Sequence, residues 1–179
     1  MRLTTTFLAF LLFAVALPAQ AYQVRAGDHF VQTSLGGSYN YLRSTQVTRE
    51  TPASLLRFGA QYAYAFDSHL SLTAGLRPGL ADSYLALPLS AGLIYRLPGI
   101  KGPIVPYLSS DLIVEAGIPL GPPPLHLDVG LRLGAGIQYF VTHRVAFGAN
   151  FALSGSALLW PNIQAESAAE LLFCCVYRI

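Results

Sequence analysis

From Leu125 to Val141 every odd position is apolar: Leu125, Leu127, Val129, Leu131, Leu133, Ala135, Ile137, Tyr139 and Val141. The even positions between them are His126, Asp128, Gly130, Arg132, Gly134, Gly136, Gln138 and Phe140. Side chains of an extended chain alternate between two faces, so this run predicts one long β-strand with an apolar face and a polar or small one. The same period of two recurs in seven further segments, running from Val31 to Tyr41, Leu56 to Phe66, Leu70 to Arg77, Leu85 to Tyr95, Tyr107 to Ala116, Arg144 to Ser154 and Gln164 to Ile179. Pro88 is a flaw in its segment, because proline cannot donate to a strand ladder.

The placement of charge decides which face is inside. Arg57, Arg77, Asp111, Glu115, Asp128, Arg132, Arg144, Glu166, Glu170 and Arg178 all fall on the polar side of their segments. If the sheet closes into a barrel in a bilayer, each Arg on the other face would cost about 2–4 kcal/mol near the midplane. The apolar face is therefore read as the lipid-facing exterior. The ten ionic residues become an interior charge network, and the interior of an eight-stranded barrel is just wide enough for side chains to fill. A plugged lumen follows. A soluble barrel with the faces reversed is disfavoured, since 11% charged residues leave little polar surface to keep it in solution. A helical span over the charge-free stretch from Val145 to Ala165 is interrupted by Gly148, Asn150, Gly155 and Pro161.

The first 21 residues carry Arg2, an apolar run from Phe7 to Leu17 and the small-residue site Ala19-Gln20-Ala21. That is the pattern of a secretory signal peptide cleaved after Ala21, and no cysteine stands at the junction to take a lipid. Domains are thus assigned as 1–21, signal peptide, and 22–179, barrel. Removing 21 of 179 residues leaves 158. Eight strands of about 10 residues fit that length with loops to spare, whereas sixteen would use about 160, so a large porin is excluded. The formal net charge of +2 gives no reason to expect a nucleic-acid partner.

With both termini at the periplasmic end, the turns there are expected at Asp67-Ser68, Leu97 to Val105 and Thr142-His143. The outward loops are expected at Leu42 to Ala53, Pro78 to Tyr84, Gly117 to Pro124 and Gly155 to Asn162. Tyr62, Tyr64, Phe66, Tyr95, Tyr107, Tyr139, Phe140, Phe173 and Tyr177 gather near the periplasmic turns, as an interfacial girdle would. The chain, over residues 29 to 179, resembles the small eight-stranded outer-membrane barrels of the OmpA and OmpX type. The likeness lies in the signal, in the strand ending Leu87-Pro88-Leu89-Ser90-Ala91-Gly92-Leu93-Ile94-Tyr95-Arg96, in Val105-Pro106-Tyr107, and in the final alternation Leu171, Phe173, Cys175, Tyr177, Ile179. Family members usually end in Phe or Trp, and Ile179 departs from that. The resemblance implies an all-β, antiparallel, up-and-down transmembrane barrel of a Gram-negative cell envelope, inserted by the barrel-assembly machinery and in contact with outer-membrane lipids, with a monomer expected.

Candidate chemistry is sparse. His126 and Asp128 share the inward face, but no third ligand or nucleophile stands at a recognisable spacing, which favours a hydrogen-bond network over a metal or catalytic site. His29, His69 and His143 fall at strand ends or turns. Cys174 and Cys175 are adjacent and face opposite sides of a strand, so they cannot pair with each other without strain. No phosphate loop, nucleophile elbow or zinc pattern is present, and no cofactor or metal is expected. The expectation is a non-enzymatic barrel serving envelope structure or surface contact. The alternatives are a lipid A-modifying barrel enzyme and a narrow channel for small or apolar solutes.

Overall fold

A computed structural model of the chain describes residues 24–42, 52–98, 102–120, 125–160 and 164–179. The expected signal peptide and parts of three expected outward loops and of the Leu97 to Val105 turn lie outside the described residues. Among the described residues nine strands form one antiparallel sheet: β1 His29–Leu42, β2 Ser54–Ala65, β3 Leu70–Leu76, β4 Gly79–Ala81, β5 Tyr84–Arg96, β6 Ile104–Pro119, β7 His126–Phe140, β8 Val145–Trp160 and β9 Gln164–Arg178. Each strand pairs with its neighbours, and β1 pairs with both β2 and β9, so the sheet closes. β3 and β4 are two pieces of one stave between β2 and β5, which makes an eight-stranded barrel.

The split has a local cause. β3 stops at Leu76, paired with Leu89, and β4 resumes at Gly79, paired with Ala86. The missing rungs lie between Arg77-Pro78 and Leu87-Pro88, and two prolines there remove two ladder donors. The interruption stays small because Arg77 N still donates to Pro88 O at 3.2 Å.

Following cross-strand partners from His29 leads through Tyr64, Leu72, Leu93, Ser110, Leu133, Leu153 and Ala169, and returns to β1 at Tyr39. The offset from 29 to 39 is the stagger of the barrel, and with eight strands it sets a tilt of about 40° to the barrel axis. The alternation sorts the two faces as expected: Leu131, Leu133, Leu89 and Phe173 are more than half exposed outside, whereas Arg132 and Asp111 are nearly inaccessible inside.

The outer ends differ from expectation. β6 runs to Pro119 and β8 to Trp160, through residues assigned to loops, and the expected loop from Pro78 to Tyr84 shrinks to Asp82-Ser83 between Ala81 and Tyr84. Hydrogen bonding between strands is made by the backbone and does not depend on side-chain alternation, so the ladders continue past the end of the pattern.

Candidate functional site

The lumen is layered along the barrel axis. At its centre Asp111, on β6, accepts from Arg132 Nη1 at 2.8 Å and Arg77 Nη1 at 3.5 Å, and Thr73 Oγ1 donates to it at 3.4 Å. Arg132, on β7, also donates from Nη2 to Asn150 Oδ1 of β8 at 2.9 Å. Its Nε lies 2.9 Å from Glu170 Oε2 of β9, an ion pair angled outside hydrogen-bond geometry. The register places these groups: Asp111 is directly opposite Arg132 across the β6–β7 ladder. Above this layer Arg57 Nη1 pairs with Glu115 Oε2 at 3.1 Å, and Arg57 Nε donates to Ser38 Oγ at 3.1 Å. At an effective dielectric near 20 a close pair is worth about 4 kcal/mol before desolvation is subtracted, so such groups are tolerable inside only together.

Nearer the outer end His126 Nε2 and the Tyr84 hydroxyl lie 2.5 Å apart, with Asp128 Oδ2 at 3.4 Å from the same nitrogen. A Cβ at Gly117, opposite His126, would come within 2.0 Å of the imidazole and 2.2 Å of the Tyr84 hydroxyl. Only glycine leaves room for that pair. Between the Arg57 and Asp128 levels lies a cavity of about 40 Å³ bordered by Arg57, Glu115, Asp128, Glu166 and Glu170. It has room for a few water molecules and no more.

The end at which β1 begins and β9 finishes is closed by hydrocarbon. Val24, Phe30, Ala63, Ala65, Phe140, Ala146, Cys174 and Val176 form one buried cluster. The segment before β1 folds back to reach it: Gly27, at φ +85°, turns the chain, Gly27 N donates to Ala65 O at 2.9 Å, and Arg178 Nη2 meets Asp28 Oδ1 at 2.6 Å. Arg96 stacks over the Phe30 ring at 5.3 Å and donates to Ser71 Oγ at 2.7 Å.

Of the ten expected lumen residues, Arg57, Arg77, Asp111, Asp128, Arg132 and Glu170 are buried inside, Glu115 and Glu166 are half-buried toward the His126 end, and Arg178 is half-buried at the rim beside the start of β1. Arg144 is a correction. β7 ends at Phe140 and β8 starts at Val145, so Arg144 belongs to an exposed turn whose Arg144 and Val145 amides donate to Thr142 Oγ1. Parity carries no meaning inside a turn, unlike the short break after β3, where Arg77 keeps its inward face because β4 resumes the same stave. Two girdle residues are also corrected: Tyr107 and Phe140 sit on inward positions of β6 and β7 and are buried, while Tyr62, Phe66, Tyr95 and Tyr177 stay exposed outside. Arg96 and Asp28 are buried polar residues that the sequence reading left out. Arg96 follows the inward parity of Gly92 and Ile94, so its place was there to be read; nothing in the pattern marks Asp28, which precedes the first strand.

The other candidates are structural in placement. His29 Nδ1 contacts the Tyr62 hydroxyl, His69 packs by Ser68 in the β2–β3 turn, and His143 is exposed in the β7–β8 turn. Cys174 is buried, Cys175 lies on the outward side, and both are free thiols. Among the described residues no cluster of three or more His, Cys, Asp or Glu is placed to hold a metal ion.

No protein-family model matches the sequence, and no curated protein matches it. Solved structures do. Neisserial surface protein A superposes with a TM-score of 0.68 at 15% identity, covering 84% of this chain and 97% of that one. The outer membrane protein OprG from Pseudomonas aeruginosa matches at a TM-score of 0.58 and 15% identity, over 90% of this chain and 99% of that one. The N-terminal β-barrel domain of Pseudomonas aeruginosa OprF matches at 0.54 and 17%, over 88% and 100%. At such identities the likeness is one of architecture, and it agrees with the closed sheet and its stagger: this chain has the fold of the small eight-stranded outer-membrane β-barrels.

Proposed function

We propose that the protein resides in the bacterial outer membrane as a non-enzymatic barrel with a filled lumen, contributing to envelope structure or surface contact. The observation that carries this reading is the distribution of exposure: a continuous exterior of Leu, Ile, Val, Phe and Tyr side chains surrounds an interior in which ionic groups meet one another. In water that exterior would be an apolar patch far larger than a soluble monomer tolerates. Against acyl chains the same surface carries no penalty, and the ladders of the closed sheet pair backbone polar groups from strand to strand around the barrel. The layered lumen favours a scaffold over a channel. The Tyr84–His126–Asp128 group is buried inside the barrel, away from the lipid-facing surface, which favours a packing role over catalysis on a lipid.

The test is fractionation of cells followed by electrophoresis of the detergent-extracted protein with and without boiling. Recovery in the outer membrane and a mobility that changes on heating are expected. A chain that stays soluble without detergent overturns the reading, and a changed acyl pattern in the lipid A of cells lacking the protein overturns its non-enzymatic part.

A further inference from the structure

The outward face of β2 is apolar from Leu56 to Phe66 and polar at Ser54 and Asp67 on either side. Ten residues at a rise of about 3.3 Å and a tilt of about 40° cover about 25 Å along the axis, the height of the apolar band of an outer-membrane barrel. β6 does not stop there. Its outward positions carry no charge from Ile104 to Leu120, one residue past the strand, and the same geometry makes that about 40 Å. The lower ends are level, since Ile104 pairs with Tyr139 at the periplasmic rim and Phe66 stands beside the Asp67 turn at the same rim. The excess of about 15 Å is therefore all at the outer end.

Neighbouring strands share it. Leu120, Leu125, Leu127 and Leu159 are 69, 54, 39 and 49% exposed, and the pairing of Leu127 with Trp160 brings β7 and β8 side by side at this level. The β2–β5 side of the described rim differs: Ser54 and the Asp82-Ser83 turn are exposed there. The rim is sided, apolar over β6–β8 and polar over β2–β5.

We propose that the exposed leucines at the outer ends of β6 and β7, Leu120, Leu125 and Leu127, with Leu159 beside them, are a lipid-docking surface, brought into the acyl chains of the outer leaflet by a tilt of the barrel toward this taller side. This rests on the membrane reading above. The occupant is argued from continuity: Val114, Leu112 and Leu131 lead up to Leu120 and Leu125 without a charged side chain on the outward face, so no boundary separates the tip from the lipid-facing belt. Water is disfavoured because four leucines would be exposed to it at one edge of the molecule.

Bromine-labelled phosphatidylcholine vesicles, with the label at the headgroup end of the chains, test this through tryptophan fluorescence. In a W160F background, which removes the single tryptophan, L120W and L125W report on the tip, L131W on the belt and D82W on the polar rim. Expected is quenching of L120W and L125W within about twofold of L131W, with D82W unquenched. Quenching of L131W without the tip variants overturns the proposal and leaves the barrel reading standing; in that case a cross-linked dimer through L125C would identify a second copy as the cover. If L131W itself is unquenched, the membrane reading fails and the proposal with it.

Discussion

At Asp111 one carboxylate faces two guanidinium groups, Arg132 at 2.8 Å and Arg77 at 3.5 Å, at a site almost wholly shielded from water. Removing the carboxylate leaves two buried cations without their shared counter-charge, and breaking one partner of a buried pair costs about 3–5 kcal/mol. D111A is expected to lose that much unfolding free energy in urea, measured in detergent micelles or vesicles, while R77M/D111L recovers a part of it by removing charge of both signs. Equal stability of D111A and the parent would show that the layer is solvated in a way the geometry does not display. Gly117 is the second sensitive position. A methyl there must displace the His126 ring or the Tyr84 hydroxyl, so G117A is expected to destabilise by an amount in the overpacking range of about 1–3 kcal/mol, and G117A/Y84F to lose less than G117A alone.

Turns and ladders decide what holds the strands in register. In the β2–β3 turn the Asp67 carboxylate accepts from the amides of His69 at 2.6 Å and Leu70 at 2.8 Å. Those two backbone donors, Leu70 first, hold its carboxyl below the usual carboxylate range. A carboxyl depressed in the folded state contributes stability that is present above the unfolded value and is lost as pH falls through the folded one. D67A is therefore expected to melt at a lower temperature than the parent at neutral pH, with the difference vanishing in strong acid, below the ordinary carboxylate range; a difference independent of pH would assign the effect to the backbone alone. This element also marks where the sequence was legible. Period-two alternation located all eight staves and the inward parity of Arg57, Arg77, Asp111 and Arg132, because one face meeting hydrocarbon leaves no freedom of register. It failed where side chains no longer sort: the ladder of β8 continues past Gly155 to Trp160, Arg144 sits in a turn, and the third stave breaks opposite Pro88. The ion pairs themselves were not legible, since parity assigns a face but not which residues meet across a lumen.

Over the whole molecule, closure is achieved twice by different chemistry. The central ionic layer spans the lumen through Arg77, just beyond β3, and Asp111, Arg132, Asn150 and Glu170 of β6, β7, β8 and β9. The floor, built on Phe30, Phe140 and Val24, is hydrocarbon and is capped by the chain segment before β1. The floor offers an ion nothing to replace its hydration, and entry of an apolar solute into the ionic layer would break charge pairs, so each opposes passage in its own way. Neither barrier depends on the other, so single openings are expected to be silent. In planar bilayers F140A, whose truncation of a buried ring costs about 3–5 kcal/mol, keeps the ionic layer, and R132S/E170S, which removes one charge of each sign, keeps the floor. Each is expected to show no discrete conductance steps, while F140A combined with R132S/E170S shows small steps, provided that all three retain the heat-dependent mobility of a closed barrel. Steps in F140A alone would mean that the ionic layer already passes ions and that the floor is the only seal. A triple variant that stays silent, still folded, would place a further barrier at the outer end, where Leu55, Tyr84 and Ala86 form a second buried cluster across from His126.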